Sequence, residues 1–184
     1  MKHLIKPAFS LFIIAAISTA LLSLVRDLTL EPIQNQRRRT QENTMRAVLG
    51  EASEFREIAF EKSGSMTRVF EGRNEGVLIG YVIEASPMGY AGPIDMMVGI
   101  SSLRNQVSGI RVLRHSETPG LGAVITQESF FQRFQGRNLI PLRVVRTLPG
   151  ENEIQAITSA TITTRAVTNA VNEAIEWYNG AAAR

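Results

Sequence analysis

The sequence predicts an α+β fold behind one N-terminal transmembrane helix, and three observations carry that prediction. Residues 7–25 form an uncharged, apolar run. From residue 66 to residue 113, short apolar-rich runs alternate with turn residues. Over residues 167–178, Val167, Ala170, Val171, Ala174, Ile175 and Tyr178 recur at the helical period and share one face. Strand runs followed by an amphipathic helix point to helices packed on a mostly antiparallel sheet. The organisation expected is an anchor with its short tail over residues 1–27, a helical connector over 28–50, and a folded domain over 51–184.

The anchor reading rests on length and charge. At about 1.5 Å per residue, the run matches a hydrocarbon core of about 30 Å, where only a helix satisfies its own backbone. Lys2 and Lys6 precede it, and Arg26 and Asp27 end it. Hydroxyls such as Ser10 and Ser18 can bond back to the helix. The competing reading is a signal peptide cut after Ser18-Thr19-Ala20. Against it, Leu21, Leu22, Leu24 and Val25 continue the apolar run. Arg26 and Arg37-Arg38-Arg39 beyond it leave the orientation open on charge alone.

Along the connector, Leu30, Ile33, Met45, Val48 and Leu49 are the apolar positions, Pro32 marks a fresh helix start, and Gly50 a stop. Strands are expected over 67–70, 77–85, 94–100, 107–113 and 142–145. Arg73-Asn74-Glu75-Gly76 and the Asn105-Gln106 region supply hairpin turns. Residues 127–134 have helical spacing, with Phe130, Phe131 and Phe134 apolar. The last helix begins near Ile162 with Thr163 or Thr164 as N-cap, and Gly180 stops it.

Composition removes several functions. Without cysteine the chain has no thiol catalysis, disulfide or iron–sulfur cluster of its own. His3 and His115 are the only histidines, so no metal site is expected. The net charge of +3 comes with scattered arginines and no basic stripe interleaved with aromatics, which argues against nucleic acid.

The stretch that carries chemistry is Gln155-Ala156-Ile157-Thr158-Ser159-Ala160-Thr161-Ile162-Thr163-Thr164. Its hydroxyls crowd between a strand-like run and a helix start. Free backbone N–H groups and the positive end of a helix dipole make such a place a phosphate site. The plainer reading is that these residues only cap the helix.

Resemblance favours the phosphate reading. Thr158-Ser159-Ala160-Thr161 resembles the Ser/Thr-Gly-Ala-Thr motif of FMN-binding domains. His115-Ser116-Glu117-Thr118-Pro119-Gly120-Leu121-Gly122 resembles that family's His-x-Glu-Thr-Pro-Gly-Leu-Gly loop. Gly89-Tyr90-Ala91-Gly92-Pro93-Ile94 resembles its Gly-Tyr-Gly-Gly-x-Ile stretch. With its apolar N-terminal run, the whole chain is similar to the G-subunit family of Rnf electron-transport complexes, and, less closely, to the C subunits of sodium-pumping NADH:quinone reductases, which are longer.

That resemblance implies FMN bound through a phosphoester to Thr161, attached by a flavin transferase. Thr158, Ser159, Ala160 and Thr163 are then phosphate-side residues. Glu117, Thr118, Gly120, Leu121 and Tyr90 lie near the ring. It implies no catalytic residue in the protein and an electron-relay role in an ion-pumping complex that couples ferredoxin and NAD. The partners are the other Rnf subunits, and the location is the cytoplasmic (inner) membrane, single-pass, with the C-terminal domain on the extracytoplasmic side. Two positions depart from the family pattern: Gln155 stands where Asp is usual, and Ser159 where Gly is usual. His115 and Glu117 invite an acid–base reading, but hydrogen bonding that shapes the loop is the simpler expectation. Asp95 reads as a structural carboxylate. The rival functions are a membrane-tethered binding or sensor module without redox turnover, and a stand-alone flavin reductase or an assembly factor; the lack of a nicotinamide motif weighs against the reductase.

Overall fold

The computed structural model describes residues 2–182, apart from the side chains of residues 2–8, 10, 27, 28, 30–35, 37, 38, 181 and 182. The chain divides into two compact units, Met1–Gln41 and Glu42–Arg184. Helix α1, Lys2–Val48, runs without interruption. It continues through Pro32, where a fresh start was expected, at the cost of one backbone hydrogen bond.

In the first unit, every described side chain between Phe9 and Arg26 is exposed, including Leu11, Phe12, Ile14, Leu22 and Val25. Thr19 Oγ1 donates to the Ala15 carbonyl (2.8 Å) and Thr29 Oγ1 to that of Val25 (2.7 Å), so these hydroxyls are satisfied within the helix. Among the described residues, no helix is long and apolar enough to cross a membrane. Part of the expected anchor, with Lys2, Lys6, Ser10 and Asp27, lies outside the described side chains, as do Leu30 and Ile33 of the expected connector.

The second unit is built on a five-stranded antiparallel sheet in the order β1 (Glu54–Ile58), β2 (Met66–Asn74), β3 (Val77–Ala85), β4 (Asp95–Ser101), β5 (Gln106–Arg114). The β2–β3 turn is set by two left-handed residues, Glu75 (φ 50°) and Gly76 (φ 81°), whose twist suits a two-residue hairpin. After β5 come a 3-10 turn, Gly122–Thr126, and the short helix α2, Glu128–Phe131. Where a helix was expected over residues 127–134, only the one-turn α2 and the turns after it are found. A parallel pair, β6 (Arg143–Val145) and β7 (Glu153–Gln155), leads into helix α3, Thr161–Ala182.

Each sheet face has its own core. On one, Met96, Val98 and Ile100 of β4 pack with Phe130, Phe134 and the apolar stripe of α3. Fully burying an Ile or Phe contributes about 1.5–3 kcal/mol. On the other, Phe70, Val82 and Met97 pack with Met45, Val48 and Leu49 at the end of α1. There the backbone of α1 comes very close to the sheet. A Cβ on Gly99 would lie 2.3 Å from the Val48 carbonyl oxygen. Ser108 Oγ donates to the same carbonyl (2.5 Å), satisfying one of the acceptors that a helix end leaves free.

At the far end of α3, Tyr81 meets Trp177 and Tyr178 edge-on, with centroids 5.3 and 5.9 Å apart. Burial raises the Tyr81 phenol above its ordinary pKa. Glu71 and Tyr178 raise it further, and Arg73 partly offsets them. The fold therefore holds the neutral phenol more tightly than the unfolded chain does. That stability is complete below the ordinary phenol value and is lost as pH rises through the higher folded value. We expect the melting temperature to fall more steeply above about pH 10 in the native protein than in Tyr81→Phe. Scanning calorimetry across pH 9–12 measures this, and parallel curves would remove Tyr81 as the cause.

α3 differs from its predicted limits at both ends. It starts at Thr161, so Thr163 and Thr164 lie in its first turn and neither is the N-cap. Their hydroxyls have other partners. Thr163 Oγ1 donates to Glu117 Oε2 (2.6 Å) and Thr164 Oγ1 to the Ala160 carbonyl (3.0 Å). The helix also continues past Gly180, which sits in open space without a left-handed φ and so does not terminate it.

Candidate functional site

The segment before α3 closes as a tight turn. Ala160 N–H donates to the Ile157 carbonyl (3.0 Å), with Thr158 and Ser159 between them. Ser159 has φ 64° while Thr158 stays on the negative side, the pattern of a type II turn, which favours glycine at that position. Thr164 Oγ1 accepts the Ile157 N–H (3.1 Å) and locks the turn onto the helix. A left-handed residue with a Cβ costs about 1–2 kcal/mol. Ser159→Gly is therefore expected to raise stability by about 1 kcal/mol, read as a higher denaturation midpoint at unchanged m-value. A lower midpoint would mean that the serine side chain contributes something its geometry does not display.

The first intrahelical bond is made by Thr164 N–H to the Ala160 carbonyl (3.0 Å). The N–H groups of Thr161, Ile162 and Thr163 therefore precede the hydrogen-bond ladder. No acidic residue occupies this first turn. The positive end of a 22-residue helix, equivalent to roughly half a unit charge, is thus open to an anion.

Beside it lies a cavity of about 410 Å³ lined by Tyr90, Glu117, Thr118, Leu121, Gly122, Ser159, Ala160, Thr161, Ile162 and Thr163. The structure thus gathers most of the residues singled out from the sequence around one space. Thr158 sits on the exposed outer side of the turn. Gly120, with φ 76°, shapes the loop before the 3-10 turn; neither lines the cavity. Gly122 and Ile162 do line it and were not singled out, although both adjoin motif residues.

Glu117 binds the walls together. It is 5% exposed. Its Oε1 accepts the N–H groups of Tyr90 (2.8 Å) and Ala91 (3.0 Å), and its Oε2 the Thr163 hydroxyl. Two glycines make room for it. A Cβ on Gly89 would lie 2.4 Å from Oε1, and one on Gly122 2.4 Å from Oε2. His115 Nδ1 accepts the Glu117 N–H (3.1 Å), which folds the loop back on itself. Asp95 is engaged elsewhere, by the Ser86 hydroxyl (2.7 Å) and by Arg114 Nε (2.9 Å). Tyr90 (72% exposed), Ile162 and Leu121 form an apolar rim.

A phosphate-bearing planar ring fits these features. The N–H groups face an anion, the rim offers apolar surface, and the volume lies within the usual range for ligand sites, about 300–1,000 Å³. The N-terminal stretch, residues 1–48, matches the RnfG N-terminal region family, and residues 89–176 match the FMN-binding domain family. The cavity at the start of α3 lies within the stretch that matches the FMN-binding domain family.

The chain belongs to the G-subunit family of ion-translocating oxidoreductase (Rnf) complexes. It is 32% identical over 193 residues to the G subunit of the Na(+)-translocating ferredoxin:NAD(+) oxidoreductase complex of Acetobacterium woodii, covering 96% of this chain and 92% of that one. It is 29% identical over 183 residues to the G subunit of the ion-translocating oxidoreductase complex of Methanosarcina acetivorans, covering 97% and 96%. Among solved structures, the C subunit of the Na(+)-translocating NADH-quinone reductase from Parabacteroides distasonis aligns with a TM-score of 0.51 and 25% identity, over 60% of each chain.

Proposed function

We propose that this protein is the electron-carrier subunit of a membrane-bound, ion-pumping ferredoxin:NAD oxidoreductase, with FMN joined to Thr161 through a phosphoester. The observation that carries the reading is the position of Thr161, first residue of α3, on the wall of the cavity and beside the free N–H groups. A flavin transferase would join the FMN phosphorus to the Thr161 oxygen, the hydroxyl losing its proton and a leaving group departing from the phosphate of an activated flavin donor. The N–H groups of Ile162 and Thr163, which precede the helical ladder, would hold the phosphate. Ser159 and Ala160 keep the turn close to it, and Thr118, Leu121 and Tyr90 flank the ring. Bound flavin supplies one- and two-electron exchange. The chain's own part is to hold it and exclude its loss.

The names of the relatives, the match of residues 1–48 and the exposed apolar side chains of 9–26 support a single-pass anchor over residues 1–27. Residues 28–50 then serve as connector, and residues 51–184 as the flavin domain on the extracytoplasmic side. The other Rnf subunits are its partners in the cytoplasmic membrane. Tethering confines the carrier to them and raises its effective concentration.

The test is intact mass of the chain after export alongside a flavin transferase and denaturation. A gain of one FMN less one water, with flavin fluorescence on the Thr161 peptide, supports the reading. An unmodified, colourless chain would sink it, with Gln155 and Ser159 as the disabling departures, and favour a tethered binding module.

A further inference from the structure

Resting on the flavin reading, we infer that Glu117 sets the reduction potential of the group held in the cavity, by means of a buried negative charge fixed there by three hydrogen bonds. The Tyr90 and Ala91 N–H groups can only donate, and both point at Oε1, while the Thr163 hydroxyl donates to Oε2. An ionised carboxylate, which only accepts, matches that set. Among the described residues, no Lys, Arg or His forms an ion pair with it. Its charge is stabilised by dipoles, those of the two N–H groups, the hydroxyl and the start of α3, and it remains uncancelled on the cavity wall. Electron uptake adds negative charge in that cavity, and a fixed carboxylate in a poorly solvated place opposes it. Glu117 thus biases the site toward the oxidised state.

Charge and shape can be separated by substitution. In Glu117→Gln, the amide oxygen still accepts from Tyr90 and Ala91. The amide nitrogen faces Thr163, whose hydroxyl turns to accept. The contacts survive and the charge goes. In Thr163→Val, the charge stays and one contact goes. If Glu117 acted only as a strut, Glu117→Gln, which keeps the contacts, would leave the potential where it is, and only Thr163→Val would move it.

The experiment is spectroelectrochemical titration of the flavin-loaded wild type, Glu117→Gln and Thr163→Val. For Glu117→Gln, we expect at least a tenfold higher reduced-to-oxidised ratio at the wild-type midpoint, about 30 mV for a two-electron couple. Thr163→Val should leave the potential level or lower. An unshifted Glu117→Gln overturns the inference. So does a rise in Thr163→Val, which keeps the test open if Glu117→Gln does not fold. A wild-type chain that takes up no flavin sinks the flavin reading, and this inference with it. Loaded wild type with an unshifted variant sinks the inference alone.

Discussion

Replacing Thr161 with Val is expected to remove covalent flavin completely while leaving the fold intact. Thr161 is half-buried at the first position of α3, and its hydroxyl bonds to nothing among the described residues. Valine keeps the β-branched shape and strands no partner. The stability change should therefore stay within about 0.5 kcal/mol. The chemistry allows no such tolerance, because a phosphoester needs the oxygen. Thr158 and Ser159 carry exposed hydroxyls on the same turn. Intact mass after denaturation distinguishes the cases. The unmodified mass is expected for Thr161→Val, and flavin retained on the Thr158–Ser159 side would move the attachment point there.

A large loss of stability is expected from Gly99→Ala, on the sheet face packed by the end of α1. The added Cβ would lie 2.3 Å from the Val48 carbonyl oxygen, 2.8 Å from its carbon and 2.6 Å from Ser108 Oγ. Two of these are backbone atoms, so no rotamer relieves the clash. The end of α1 has to lift away, with Val48 and Leu49 losing their places in the core and Ser108 its bond. Overpacking of this kind costs about 3 kcal/mol. For a domain of this size, that lowers the melting temperature by about 10 °C. Gly180→Ala is the control. It meets nothing within 4 Å and sits in a helix, so it should be neutral or slightly stabilising. A melting temperature for Gly99→Ala within about 2 °C of wild type would show that the helix end is not held as tightly as its geometry demands.

The parts of this structure governed by neighbours in the chain were legible in the sequence. Asn74-Glu75-Gly76 announces a hairpin because the turn needs left-handed residues, and it is one. The stripe on α3 announces a buried face because the period belongs to the helix alone. Strand β1 was missed for a physical reason. Glu54, Arg56 and Glu57 put charge on an edge strand, which is how edges avoid unwanted pairing, and this hides the strand pattern. The start of α3 was misjudged because a run rich in Thr offers several capping side chains. What decides among them is Glu117, a partner 46 positions away. The cavity was legible as a set of residues but not as an arrangement. That Gly89 and Gly122 are small because one carboxylate lies between them depends on three loops meeting in space.

The bond between Thr163 and Glu117 also bears on the order of events in biogenesis. Tyr90, Glu117 and Thr161 share a wall only after α3 has docked on the sheet, so a nascent chain carries the motif before it carries the site. An enzyme that recognises the docked arrangement would flavinylate native molecules and pass over misfolded ones. The yellow colour of a purified sample would then count properly folded chains, making the cofactor a record of successful maturation as well as a carrier.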